Sequence, residues 1–345
     1  MIRALGAALC LVLGMSGPGA RADVPVEILS FEELKGWAAD DHGAALSVFQ
    51  ETCPDLDDPD WATICALASQ QTAQTARQFF ELFFRPVLIG GQEPALFTGY
   101  YEPELQGART PDARFRYPIY RKPPEIGAGV RWHSRRDIEE QRLLEGRGLE
   151  IAWLEDPVDV FFLQVQGSGR IRLRDGHSIR VGYGGKNGHE YRSVGQELVR
   201  RGIYRPHQVS ADVIRSWVRR NPQEGRELLH HNPSFVFFRI VDDVPEDRGP
   251  LGAMNRSITA MRTVAIDPGF TPLGAPVWIE KGGRAPLHRL MVAQDTGSAI
   301  KGPQRADIFY GTGAGAGRAA GTVRDGGRLM VLMPIDRALA LAGAG

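Results

Sequence analysis

Three aspartates stand at or just beyond the ends of short apolar runs in the C-terminal part of the chain: Asp267 in "TVAIDPG", Asp295 in "MVAQDTG" and Asp307 in "RADIFYG". A carboxylate is costly to take out of water unpaired. Burial and a like charge nearby both raise a carboxyl pKa, and such a group can hold a proton near neutral pH and pass it on. The competing role is structural, because Asp before glycine commonly accepts hydrogen bonds from turn amides. Three in so short a stretch, the last two twelve residues apart, favour acid–base chemistry.

Other chemistries lack their motifs. No G-x-S-x-G elbow, H-E-x-x-H, paired cysteines of zinc spacing or phosphate-binding G-x-x-x-x-G-K-[ST] is present. "QGSGRIRL" carries Arg172 where a dinucleotide fingerprint needs its third glycine. "GTGAGAGRAAG" reads as turn-forming glycine. His230 and His231 read as the end of a helix rather than as ligands. No metal or cofactor is expected, and no nucleic acid.

The elements that must position the carboxylates follow from patterning. The chain has 345 residues, 43% of them hydrophobic and 24% charged, with zero net charge, enough for one or two cored domains. Residues 1–22 read as a secretory signal peptide, with Arg3, an apolar run and Ala20-x-Ala22. The early Cys10 lacks the small residue that precedes a lipid-modified cysteine, so export to the periplasm without an outer-membrane lipid anchor is expected. In an oxidising compartment Cys53 and Cys65, flanking "PDLDDPDWATI", suggest one disulfide closing a short loop. Such a loop is worth about 2–3 kcal/mol.

Ser30 with Glu33 reads as a capping box opening a helix through Leu34 and Trp37. A second helical run carries Trp61, Ile64, Cys65, Ala68, Ala76, Phe79, Phe80 and Phe83, to be stopped by Pro86. Short β-rich pieces follow, "VDVFFLQVQGSG" among them, with Asp175-Gly176 as a hairpin turn. Helices open at Ser193 and Ser210. After "NPSFVFFRIV" come five-residue strands separated by Gly and Pro, which argue for a closed or nearly closed barrel rather than a doubly wound sheet.

Charge divides the chain in three: residues 23–104 hold 3 Lys and Arg against 15 Asp and Glu, 105–239 hold 24 against 16, and 240–345 hold 12 against 10. The basic middle suits an anionic polymer. In an exported protein, cell-wall glycan fits better than nucleic acid.

"FTGYYEPEL", "VFFLQVQGSGRIRLRDGHSIRVGYGGKNGHEYRSVG", "NPSFVFFR", "GPLGAM", "AIDPGFTPLGAPVWIE" and "RLMVAQDTGSAIKGPQRADIFYG", in that order, resemble the membrane-bound lytic murein transglycosylase A family with its C-terminal three-aspartate module. The resemblance implies a mainly β fold with N-terminal helices. It comprises a double-psi β-barrel built from 23–104 plus 240–345, a smaller β-rich substrate-binding domain at 105–239, and a groove between them. It implies cleavage of the β-1,4 bond between N-acetylmuramic acid and N-acetylglucosamine with 1,6-anhydromuramoyl ends, by a monomer acting on peptidoglycan strands, possible partners being cell-wall synthesis or division proteins. Asp307 matches the catalytic carboxylate and Asp295 its neighbour, while Asp267 looks structural. Thr98, Tyr100 and Tyr101 are expected to line the cleft. Gln164, Gln166 and Ser168, read as alternating on one face of a strand, are candidate sugar contacts, with Lys186 and Asn187 behind them. A water-using muramidase and a non-catalytic wall-binding protein are the alternatives.

Overall fold

A computed structural model describes residues 24–343 apart from 92 and 128. The leader 1–22 and Cys10 lie outside the described residues. The strands are β1 (Val26–Ile28), β2 (Phe84–Ile89), β3 (Ala95–Glu102), β4 (Glu104–Ala108), β5 (Tyr117–Tyr120), β6 (Glu150–Leu154), β7 (Gly169–Leu173), β8 (Ser178–Lys186), β9 (Val236–Ile240), β10 (Thr263–Ile266), β11 (Pro276–Lys281), β12 (Leu287–Thr296), β13 (Arg305–Thr312) and β14 (Arg324–Pro334). The helices are α1 (His42–Thr52), α2 (Pro59–Ala68), α3 (Ala76–Phe83), α4 (Arg135–Glu140), α5 (Pro157–Gln166), α6 (Val194–Arg200), α7 (Ala211–Arg220), α8 (Pro222–His230), α9 (Gly313–Ala320) and α10 (Ile335–Gly343). Among the described residues no helix is long and apolar enough to cross a membrane.

The strands form two sheets. In the first, β3, β13, β10, β12, β11 and β14 pair in sequence and β14 returns to β3, closing a ring; β2 and β1 extend it from the far end of β14. β11 is buried along its whole length. Its inner face packs with Val264, Ile266, Ile308 and Met330 in a core that also takes in Phe49, Trp61, Phe79, Phe80 and Phe84 from the N-terminal segment. Burial on both faces explains why "PVWIE" and "RLMVLMP" read as continuous apolar runs rather than alternating ones. The second sheet runs β5-β6-β4-β7-β8-β9, so its strands lie between Glu104 and Ile240.

Several local readings change. The capping box at Ser30 forms, Ser30 N donating to Glu33 Oε2 at 2.7 Å, but it opens only a 3-10 turn, because Gly36 adopts φ +80 and breaks the run. The aromatic run splits into α2 and α3, and the chain is already extended at Phe84, before Pro86. "VDVFFLQVQ" is the helix α5, not a strand. Asp156 caps it with a bond from Val158 N, Pro157 occupies its first turn and Gly167 ends it at φ +77. Residues 105–239 are therefore not simply β-rich; α4 to α8 cover their sheet. "GAGAGRAA" is the helix α9 rather than a turn. It lies close against β3, since a Cβ on Gly317 would sit 2.7 Å from the Tyr101 ring and one on Gly99 2.8 Å from Ala320 Cα.

Cys53 and Cys65 are joined by a disulfide. Asp175-Gly176 makes the β7–β8 hairpin, with Gly176 at φ +86 and His177 N bound to Asp175 Oδ1 at 2.9 Å.

One buried ionic node joins the two sheets. Glu102, at the end of β3, has no exposed surface. It accepts from Arg180 on β8 (2.9 Å), Arg170 on β7 (2.9 Å) and Thr312 Oγ1 (2.8 Å). The same two arginines donate to the carbonyls of Val244, Pro245 and Arg248, on the segment returning to the barrel. Removing one partner of a buried ion pair strands the other charges. Glu102→Gln is expected to lower unfolding free energy by about 3–5 kcal/mol, measured by urea denaturation; a change within experimental error would show that the node is dispensable.

Candidate active site

The closed ring sets the geometry of the aspartates. Strand β10 lies between β12 and β13, and Ala265 pairs with Asp295 on one side and with Asp307 on the other. Two strand spacings therefore separate their backbones, roughly 9.5 Å. Asp307 pairs in turn with Thr98 on β3. Side chains alternate along strands. Val264, Ile266, Ala306, Ile308 and Phe97 accordingly fill the barrel, and Ala265, Phe309 and Tyr100 form a separate small cluster with Ile258 and Ile300 on the outside. Asp307 and Thr98 belong to that outer row.

Asp295 accepts three hydrogen bonds: from Tyr100 OH to Oδ2 (2.8 Å), and to Oδ1 from the amides of Ala253 (3.0 Å) and Thr296 (2.9 Å). Burial nevertheless pushes its pKa up to about 6, with the Asp307 charge adding to the rise. Asp307 accepts from Thr98 Oγ1 at 2.5 Å. Burial raises its pKa as well, opposed by Thr98 and by the nearby Arg305 guanidinium. Arg305 Nη2 donates to Thr98 Oγ1 at 2.8 Å. A guanidinium can only donate, so Arg305 occupies a lone pair of Thr98 and leaves the hydroxyl proton free to go to Asp307 Oδ1. That directs the acidic proton of Asp307 to Oδ2.

Asp267 plays a different part. It accepts from Gly269 N (3.1 Å) and Gly302 N (2.9 Å), and so pins the β12–β13 connection as that segment passes the end of β10. The connection is thus not a simple turn joining two neighbours, since β10 lies between them.

The structure sorts the remaining expected contacts. Thr98 and Tyr100 join the aspartates. Tyr100 is 9% exposed and packs against Phe309 with ring centroids 5.2 Å apart, so it serves Asp295 rather than offering a face to sugar. Tyr101 points the other way along β3, toward α9; its amide donates to Gln166 Oε1 at 3.0 Å and its hydroxyl accepts from Arg215 at 3.4 Å. Gln164 and Gln166, two apart on a helix, do not share a face. Gln164 is buried against the Arg135 guanidinium, and Ser168 is buried too. Asn187 is wholly buried, bracketing His133 O, Pro233 O and Phe235 N.

Arg305 and the Ala253 amide were not anticipated. Arg305 lies two residues before Asp307 on the same strand face, a spacing that could have revealed it. Nothing in "GPLGAM" announces its amide.

Two half-buried carboxyls with raised pKa values on the outer face of a closed barrel define a protein with a candidate carboxylate acid–base site. Two family profiles match: the MltA specific insert domain over residues 96–239 and the 3D domain over 262–333. The membrane-bound lytic murein transglycosylase A of Escherichia coli K12 is 40% identical over 242 residues, which is 68% of this chain and 65% of that protein, just under two thirds of the relative's length. The crystal structure of a membrane-bound lytic murein transglycosylase from Agrobacterium tumefaciens superposes with a TM-score of 0.82 at 34% identity, covering 92% of this chain and 99% of that one. Escherichia coli MltA with bound chitohexaose superposes with a TM-score of 0.70 at 31% identity, covering 85% and 90%. The chain belongs to the membrane-bound lytic murein transglycosylase A family.

Burial of Asp307 has a thermodynamic signature. A raised folded-state pKa means that the ionised form costs stability as pH rises through it, whereas below the unfolded value of about 3.9 both states hold the proton and the cost vanishes. Asp307→Asn is expected to be at least as stable as the parent at pH 8, with the difference closing toward pH 4. Calorimetry across that range checks it; a variant that loses ground as pH rises would contradict the burial argument.

Proposed function

We propose that this chain is a peptidoglycan lytic transglycosylase that uses Asp307 as acid and then as base. The observation that carries the reading is the half-buried Asp307, its proton favoured by desolvation and directed to Oδ2 by the Arg305–Thr98 pair. Asp307 Oδ2 gives its proton to the glycosidic oxygen as the C1–O bond breaks. The carboxylate then takes the proton from the C6 hydroxyl of the same muramoyl residue as that oxygen bonds to C1, leaving a 1,6-anhydro end. Because the nucleophile belongs to the substrate, the closing step gains from proximity, and no water is consumed.

Asp295, its carboxyl pKa raised to about 6 by burial and by the Asp307 charge, makes the two carboxyls a like-charged pair in which one proton is favoured, and its charge stabilises oxocarbenium-like charge. The likeness to the relative with bound chitohexaose supports a glycan strand as substrate. We assign residues 23–104 with 240–345 to a catalytic domain of double-psi type and 105–239 to the substrate-binding domain. The strand lies in a groove between them, where Thr98, Tyr101 and Gln166 are the candidate contacts. The signal-peptide reading of residues 1–22 supports the periplasm as the site of the reaction.

Mass spectrometry of products from purified sacculi tests the chemistry. Anhydromuropeptides, each lighter by one water than the reducing product, are expected from the parent and none from Asp307→Asn, which should still bind glycan. Reducing muramic ends would instead mark a hydrolase with Asp295 as base, and retained binding without release of soluble muropeptides a non-catalytic wall-binding protein. The two carboxyls titrate as a coupled pair, so activity should be bell-shaped in pH, falling on the acid side as both become protonated and on the alkaline side as the last shared proton leaves. Thr98→Val removes a bond that favours the Asp307 carboxylate. It should therefore move the alkaline limb to higher pH while lowering kcat roughly ten-fold; an unmoved limb would remove Thr98 from the mechanism.

A further inference from the structure

The turn that gives Asp295 its Ala253 amide rests on β12 through one long bond, Met254 N to Gln294 O at 3.4 Å, and through the close approach of Gly252 to Gln294 O. Residues 249–258 fold back on themselves: Leu251 bridges Ser257, Gly252 N donates to Arg256 O at 2.9 Å and Asn255 N to Gly252 O at 3.0 Å. Ala253 and Asn255 are exposed. A cavity of about 460 Å³, lined in part by Leu56, Met254, Asn255 and Leu273, separates the turn from the disulfide-closed loop. Apolar contact therefore does not fix the turn on that side. Polar ties do.

On one side Asn255 Oδ1 accepts from Arg239 of β9 at 2.6 Å. On the other, Arg256 reaches Asp55, Nε to Oδ2 at 2.5 Å and Nη2 to Oδ1 at 3.1 Å, across 201 residues of sequence. Two parallel bonds of this kind fix orientation as well as distance. Asp55 ends a 3-10 turn that begins at Cys53, which is bonded to Cys65 in α2. The residue before Cys53 makes a second tie: Thr52 Oγ1 accepts from Gln294 Nε2 at 2.8 Å, next to Asp295. The disulfide loop thus grips both the turn above Asp295 and the strand beneath it.

We propose that Asp55, seated by the Cys53–Cys65 disulfide, is a positioning residue for Asp295: its pair with Arg256 holds the Gly252–Asn255 turn where the Ala253 amide reaches Asp295 Oδ1. This rests on Asp295 acting beside Asp307. A loop with no part in the chemistry then sets how readily Asp295 takes a proton. The Ala253 amide is one of three donors offsetting burial of that carboxylate, and the titratable groups facing it are Tyr100 and Asp307. Losing the amide moves Asp295 toward its protonated form.

Three variants test this: Asp55→Asn; the charge swap Asp55→Arg with Arg256→Asp; and Arg337→Ala. The last loosens the same loop from its other side, where Arg337 holds Asp58 at 2.5 Å. Carbon-13 NMR of the Asp295 carboxyl gives its titration midpoint independently of activity. Asp55→Asn should raise that midpoint by about half a pH unit or more, and the swap should restore much of it. Arg337→Ala should lower Tm and leave the midpoint in place. On sacculi, Asp55→Asn should lower kcat roughly five-fold with KM unchanged and shift the acid limb upward. A folded Asp55→Asn with an unmoved midpoint, or an Arg337→Ala that moves it equally, overturns the proposal. A parent protein that releases no muropeptides overturns the functional reading instead, and the NMR midpoint still judges this one.

Discussion

Two half-buried carboxylates in one corner of the molecule are the constraint around which the rest is arranged. Each ionised group there is costly, and the second makes the first more so. The structure meets the cost by treating them unequally. Asp295 receives three donors, whereas Asp307 receives one hydroxyl that also accepts from an arginine. Neighbouring carboxyl groups whose surroundings push their protonation apart are the usual signature of divided acid–base roles.

That inequality depends on closure of the ring. Ala265 can have an aspartate on either side only because β10 lies between strands that are not its neighbours in sequence. The N-terminal helices are equally part of the arrangement. They supply Phe49, Trp61 and Phe80 to the core of the closed sheet.

How much of this was legible from sequence varies by residue. The C-terminal strands announced themselves by apolar runs cut by Gly and Pro, and the disulfide by two cysteines around an acidic loop. The segment "VDVFFLQVQ" misled because a fully covered helix and a buried strand are both continuously apolar; only Asp156-Pro157 and Gly167 distinguished them. "GAGAGRAA" misled because glycine lowers helix propensity, although here its lack of a side chain lets α9 lie against Tyr101. Asp295 and Asp307 were legible as candidates, but their placement about Ala265 was not, since sequence spacing says nothing about an intervening strand. Arg256 and Asp55 could not be paired from sequence at all. Each is an ordinary surface-type charge, and their relation exists only once the chain has closed.

Strand β3 carries Thr98, Tyr100 and Glu102 on successive positions of one face, the first serving Asp307, the second Asp295 and the third the junction with the other sheet. It therefore acts as a ruler of about 13 Å between the reacting groups and the ionic node that joins the two sheets. Inserting or deleting one residue within it would turn the side chains beyond that point to the opposite face. Loops elsewhere are free to lengthen over evolutionary time, but these five positions can change identity only in place, never in number.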